Sequence, residues 1–295
     1  MMKRLAVFVL LFLAACAPIA VTPPAAVPPT PLPALTVDQV KNAQVSLTTL
    51  TNDTALSYQL TGGVFQKGTD PAGASYAMIR LLDPIVLGDL NGDGLGDAAA
   101  LIAENYGGTG VFVSLLAFVN EGGRAVQAAA FGVDDRPVIN SLDLQDGVIG
   151  LDATVHSAMD PMCCPSFGTR QHFRLYGTQL VMMDYASQTP SGQWRSITVT
   201  SPAAADRTQG SVEISGTVSI APFENSLSWN LVDAKGNELA SGPVMVKAMD
   251  MGAPGTFQVT VPLDHAPAGA PAWIVIHDLS AADSSLLALA AVPVQ

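Results

Sequence analysis

Apolar residues along most of this chain come in short runs rich in Val, Ile, Leu and Phe. The runs are closed by Gly and Asx pairs, a pattern that predicts strands joined by tight turns. Between residues 44 and 185 the runs are 77–82, 98–102, 111–119, 138–144, 148–155, 172–176 and 180–183. Gly62-Gly63, Asn91-Gly92, Gly107-Gly108, Gly122-Gly123, Asp146-Gly147 and Tyr176-Gly177 separate them. Residues 142–149 read as the plainest hairpin, and residues 36–43 as one short helix with Thr36 as its N-cap. Residues 187–193 carry no apolar side chain, which places a boundary there. Beyond it a second set of runs covers 197–200, 212–220, 226–232, 243–246, 257–261, 273–278 and 286–294. About seven strands in roughly 100 residues fit an immunoglobulin-like sandwich. The fold expected is therefore mainly β, with an antiparallel β domain at 36–190 followed by an immunoglobulin-like sandwich at 195–295.

Composition supports folded cores and narrows the partners. Of the 295 residues 49% are hydrophobic and 13% charged, about half the usual charged share, and the length suits about two domains. The formal net charge is −12, and Lys3 and Arg4 are two of only 13 basic residues. An acidic chain without a basic cluster repels phosphate backbones, so nucleic acid is excluded as a partner.

The start of the chain has its own pattern. After Lys3 and Arg4 comes an apolar run at 5–13, too short for a bilayer, which needs about 20 residues. It reads as an export signal. The run ends in Leu13-Ala14-Ala15-Cys16, which resembles the lipobox of bacterial lipoproteins. That resemblance implies a signal peptide at 1–15, a lipid on Cys16, and attachment to the extracytoplasmic side of the cell membrane. Seven prolines among residues 17–33 favour an extended polyproline II tether over 16–35, with a proline-recognition ligand as the alternative reading.

Two further resemblances concern the exported part. Ile197-Thr198-Val199-Thr200-Ser201-Pro202, Ile214-Ser215-Gly216-Thr217-Val218, Pro222-Phe223-Glu224-Asn225, Gly255-Thr256-Phe257 and the 278–285 segment stand in the order of one module. This part resembles the immunoglobulin-like domain of bacterial spore-germination proteins over 195–294. Asp283-Ser284-Ser285 replaces the usual Asp-Gly-Ser, a departure that touches only a turn. The resemblance implies a binding or spacing domain outside a membrane. Upstream, the 88–94 segment, Gly107-Gly108-Thr109-Gly110, Asp135-Arg136 and the 160–165 segment are similar, more loosely, to the LppP/LprE lipoproteins of mycobacteria, which implies envelope localisation and no chemistry.

Candidate chemistry rests on a few residues. Asp89, Asn91, Asp93, Leu95 through its carbonyl, and Asp97 match a D-x-N-x-D-G-x-x-D loop, whose oxygen donors suit Ca²⁺. Position 12 is Ala100, so the bidentate Glu of an EF-hand is missing. The loop looks like the strand-flanked calcium loops of integrin-type repeats, and a plain Asx/Gly turn is the competing reading. Adjacent Cys163 and Cys164 form a disulfide candidate that would clasp a loop or, alternatively, serve redox or metal chemistry. His156 and His172 are the histidines that could join them. His265 and His277 read as surface or strand residues. No G-x-S-x-G, H-E-x-x-H or P-loop occurs, and the Gly107–Gly110 segment lacks the lysine of a phosphate cradle, so no catalytic residue is assigned. Trp229 and Trp273 read as core, with a sugar-binding platform as the alternative that also involves Trp194.

The function expected is a membrane-anchored envelope lipoprotein acting as a non-catalytic binding module on an envelope protein or cell-wall component, stabilised by Ca²⁺. A thiol-dependent redox protein or enzyme at Cys163-Cys164 and a purely structural envelope spacer are the alternatives.

Overall fold

The computed structural model describes residues 33–48 and 55–295. The signal at 1–15, Cys16 and nearly all of the 16–35 tether lie outside these residues. The chain begins with helix α1 (Val37–Lys41) and strands β1 (Gln44–Thr48), β2 (Ala55–Gln59), β3 (Val64–Lys67), β4 (Ala77–Gly88), β5 (Asp97–Asn105), β6 (Phe112–Asn120) and β7 (Ala125–Asp135). It continues through β8 (Val138–Gln145), β9 (Val148–Val155), β10 (Phe167–Tyr176), β11 (Gln179–Gln188) and β12 (Trp194–Arg195). The last strands are β13 (Ile197–Ser201), β14 (Ser211–Val218), β15 (Ser226–Asp233), β16 (Glu238–Ala248), β17 (Gly255–Pro262), β18 (Ala272–Leu279) and β19 (Leu286–Val294). All strand pairing along the three sheets is antiparallel, so the mainly β expectation holds.

The helix starts where its cap predicts. Thr36 Oγ1 accepts from the Gln39 amide, and the Gln39 side chain accepts from the Thr36 amide, a closed capping box. Only five residues follow, because Val40 already reaches the core and β1 begins at Gln44.

The N-terminal half has three layers. Strands β3 to β7 form a five-stranded sheet in chain order, and β5 is buried along nearly its whole length. Ala98, Ala100 and Ile102 pack with Leu116 and Phe118 against Val40, Val45, Leu47 and Leu60 of α1, β1 and the end of the β1–β2 hairpin. Ala99, Leu101 and Ala103 turn the other way and pack with Leu115 against Leu142, Ile149, Leu151 and Phe173 of β8 to β10. Alternation along one strand thus feeds two cores, and the small alanines let both outer layers approach the middle sheet. The apolar run at 98–102 announced this strand; the pattern gave no sign of β7, whose Ala-Val-Gln-Ala-Ala-Ala sequence carries weak strand propensity. Pairing along β6 decides its structure.

The C-terminal half is a two-layer sandwich. β13, β14 and β17 form one layer, and β15, β18 and β19 the other. β16 serves both: residues Glu238 to Met245 pair with β15, and Val246 to Ala248 pair with β17. Ile214, Val218, Phe257 and Val261 meet Leu227, Trp229, Leu231, Ile274 and Ile276 between the layers. Each of the seven apolar runs after residue 194 became one strand.

The two halves share a sheet. Asp184, Tyr185 and Ala186 of β11 pair with Ala290, Leu289 and Ala288 of β19. The order β13-β14-β17-β16-β15-β18-β19-β11-β10-β9-β8 therefore runs through twelve strands once β12 is counted beside β11. Of the apolar-free segment at 187–193, Ser187 and Gln188 end β11 and pair with β12, and 189–193 fold as a turn closed by the Thr189 amide on the Gln193 carbonyl. Around it Arg195 donates to Asp278 at 2.8 Å and Ser187 Oγ donates to the Leu287 carbonyl at 2.6 Å; at the other end of β11 Tyr176 meets Trp273 edge-on at 5.2 Å. Burial pushes the Asp278 carboxyl up despite that arginine.

Candidate functional site

The turn at 89–97 joins β4 to β5. Asp89 accepts from the Gly92 amide at 2.7 Å and the Gly94 amide at 2.9 Å, which hold its carboxyl below the usual range, Gly94 foremost. Asn91 Oδ1 accepts from the Asp93 amide and Asp93 Oδ1 from the Leu95 amide. Gly92 and Gly94 stand at φ +80° and +82°, the left-handed region that a side chain resists. Asp97 behaves differently. It is fully buried, with Oδ2 accepting from the Leu90 amide and Oδ1 from the Asn120 amide, and burial pushes its carboxyl up. It fastens the turn to the end of β6.

The oxygen types of Asp89, Asn91 and Asp93 suit a hard cation. As arranged, each is tied to a turn amide, and both Asp97 oxygens are committed behind the turn. Among the described residues no three His, Cys, Asp or Glu side chains stand together as a metal-holding group.

The loop between β9 and β10 is organised by Asp160, which accepts from the Ser157 amide, the Ser166 amide and Ser166 Oγ. Those donors, led by Ser157, bring its carboxyl down to about 2. Cys163 and Cys164 are disulfide-bonded to each other and exposed in this loop, directly after exposed Met159 and Met162. His156 lies at the base of this loop. Its amide and its Nδ1 both contact Asp134 Oδ2, at 2.6 and 2.9 Å, and Asp134 raises its pKa. Its Nε2 is buried without a partner. Next to it Asp135 accepts from Arg136 and from the Val111 amide. His156 thus shares the cysteine loop, whereas His172 lies on the sheet with its Nδ1 on Asp184. His265 is exposed, and His277 is half-buried on β18, where burial lowers its pKa.

The tryptophans are occupied. Trp229 lies in the sandwich core, Trp273 is 3% exposed, and the Arg170 guanidinium covers the Trp194 ring at 3.9 Å. Gly107 and Gly108, at φ +96° and +73°, make the β5–β6 turn.

Sequence reasoning gave no role to Asp134, Asp143 or Asp184. The β10–β11 register sets Asp184 beside His172, and the packing of β7 against the end of β9 sets Asp134 beside His156.

With the geometry in view, the comparison with known families is decisive for one half. Residues 196–285 match the immunoglobulin-like domain of bacterial spore germination, Gmad2. The match takes in β13 to β18. No curated protein and no solved structure matches the chain. Two motifs of the module now have a shape. Glu224 and Asn225 turn at φ +53° and +55°; Ser284, in the Asp283-Ser284-Ser285 turn, stands at φ +61°, a conformation that favours glycine. Asp283 supports that turn by accepting from the Ser285 amide and hydroxyl.

Proposed function

We propose that this chain is a lipid-anchored envelope protein that acts as a non-catalytic interaction module. The Gmad2 match over 196–285 carries the reading, since an immunoglobulin-like sandwich offers loops and sheet faces for docking rather than a catalytic cleft. The lipobox-like Leu13-Ala14-Ala15-Cys16 supports attachment through Cys16, with the proline-rich segment as tether and the folded part on the extracytoplasmic side. The looser likeness to LppP/LprE lipoproteins agrees with that address. No helix among the described residues is long and apolar enough to cross a membrane. The partner is an envelope protein or a cell-wall component.

Two measurements test this. Cys16→Ser should move the protein from the membrane fraction to the soluble fraction and abolish incorporation of labelled fatty acid; unchanged fractionation and labelling would sink the anchor. Cross-linking in living cells from residues on β14 and β17 should recover one partner repeatedly. Recovery of none would favour an envelope spacer.

Calcium enters as a subsidiary proposal, with Asp89, Asn91, Asp93 and the Leu95 carbonyl as the residues that would hold it and Asp97 bracing the turn from behind. A calcium concentration 100-fold above the dissociation constant adds about 2.7 kcal/mol to stability. The thermal midpoint should therefore rise with calcium, and the rise should vanish in Asp93→Ala; no rise in the parent protein removes the ion.

The exposed Cys163–Cys164 disulfide favours one second reading, a thiol-dependent redox role. Replacing both cysteines by serine leaves partner binding intact under the first reading and abolishes activity under the second.

A further inference from the structure

Four strands place residues far apart in sequence in one straight row. Asp143 of β8 pairs with Gly150 of β9, Gly150 with His172 of β10, and His172 with Asp184 of β11. Residues paired directly across antiparallel strands point to the same face. Ile149, Leu151 and Phe173 fill the inner face, so the row lies on the outer one.

The row has a gap at its second position, and Asp143 fills it. A Cβ built on Gly150 would lie 2.8 and 2.9 Å from the two Asp143 carboxylate oxygens. The carboxylate therefore occupies the place of a side chain on β9. From that place the Cβ of the facing His172 is about 4.5–5.5 Å away. Among the described residues no side-chain donor holds the Asp143 carboxylate. On the other side, His172 Nδ1 contacts Asp184 Oδ1 at 2.7 Å. A carboxylate accepts, so Nδ1 carries the hydrogen, and Nε2, on a side chain 44% exposed and without a hydrogen-bond partner among the described residues, is left with its lone pair when the ring is neutral. The ladder shifts register at His172/Phe173, the kind of irregularity that re-aims a side chain. Arg170, two residues before His172 on β10, is turned to Asp152 and Trp194.

A histidine held by a carboxylate on one nitrogen and open on the other is the arrangement found behind metal-ligating imidazoles. We propose that His172 Nε2 and the Asp143 carboxylate form an open site for a divalent transition cation such as Zn²⁺, with Asp184 as the positioning residue that orients the ring. Two protein donors leave the remaining positions to water or to a donor from a bound partner, so the site suits a bridging ion between this sheet face and a second molecule. Gly150 is what admits Asp143 to the site.

The probe is Zn²⁺ alone, titrated by calorimetry into the full chain in detergent, with nitrogen-15 spectra of the histidine rings as second readout. One ion should bind, and the Nε2 signal of His172 should shift while those of His265 and His277 stay. His172→Gln should remove binding, Asp184→Asn should weaken it about 10- to 100-fold, and binding should strengthen as rising pH deprotonates His172. Gly150→Ala separates the proposal from a generic surface histidine: every donor remains, but the new methyl group displaces the Asp143 carboxylate, and affinity should fall at least as far as in Asp143→Asn. Unchanged circular dichroism shows that these variants fold. No binding to the parent protein, binding unaffected by His172→Gln, or binding lost instead in Asp93→Ala or in Cys163→Ser/Cys164→Ser would each overturn the site.

Discussion

The two halves of this protein solve the same problem differently. After Trp194 the strands alternate in a simple way: one face inward, one outward, a single core between two layers. Before Gln188 a middle sheet is buried on both faces and feeds two cores, so its strands lose alternation of polarity and alternate instead between partners. The difference shows where freedom for polar chemistry lies. A sheet covered on both sides has little face to spare: Glu104 near the end of β5 is buried against the Tyr106 hydroxyl, and the other unusual polar groups of the N-terminal half lie in its turns, in the β9–β10 loop and on the outer face of β8 to β11. The C-terminal half places polar groups in turns such as 283–285 and, on β18, in the buried Asp278 held by Arg195. One twelve-stranded sheet nonetheless binds both designs.

Substitutions in the two cores should break that comparison most forcefully. Phe118→Ala in the N-terminal half and Trp229→Ala in the sandwich remove fully or nearly fully buried rings, and each should cost about 3–5 kcal/mol. If the shared sheet couples the halves, calorimetry of either variant shows one transition moved downward. A melt split in two, with the upper step at the parent temperature, would mean independent halves.

A smaller effect is expected at the junction. Arg195→Ala leaves Asp278, 4% exposed in its side chain, without its cation and should cost about 3 kcal/mol in chemical denaturation. Replacing the pair together, Arg195→Met with Asp278→Leu, should recover most of that loss. Equal losses in the single and double variants would show that packing, not the ion pair, closes the junction.

Turns give the next contrast. Ser284→Gly relieves a side chain at φ +61° and should stabilise by about 1 kcal/mol. Gly92→Ala puts a side chain at φ +80° and should destabilise by a similar amount. Thermal midpoints moving in the same direction would contradict this reading of the two turns.

The gentlest probe is pH. Asp160 is depressed to about 2 by its amide and hydroxyl donors. A depressed carboxyl contributes order above its unfolded pKa near 4 and loses it as pH falls through the folded value. The Ser157 and Ser166 amide signals should therefore hold from pH 7 to about 4 and move with a midpoint near 2. A midpoint near 4 would remove Asp160 as organiser of the cysteine loop.

Much of this was legible in sequence because it is local. Gly and Asx pairs at 62–63, 107–108 and 146–147 punctuate the strands, and Thr36 with Gln39 spells the helix start. β7 escaped because alanines carry no pattern of their own and only β6 makes them a strand. Asp97 stood at the ninth position of a cation loop, yet burial and two backbone amides give it a bracing role that spacing alone cannot reveal. The Asp143–His172–Asp184 row was invisible for a similar reason: its members meet through the register of three separate ladders. Likewise residues 187–193 mark a turn, but nothing local shows that β11 finds β19 about a hundred residues later.

That pairing is the point on which everything else rests. Hydrogen exchange of the backbone amides at 184–186 and 288–290 tests it directly in the intact chain. Protection on the scale of the β10 and β18 core strands is the predicted result. Exchange as fast as that of the 189–193 turn would show that no continuous sheet joins the two halves.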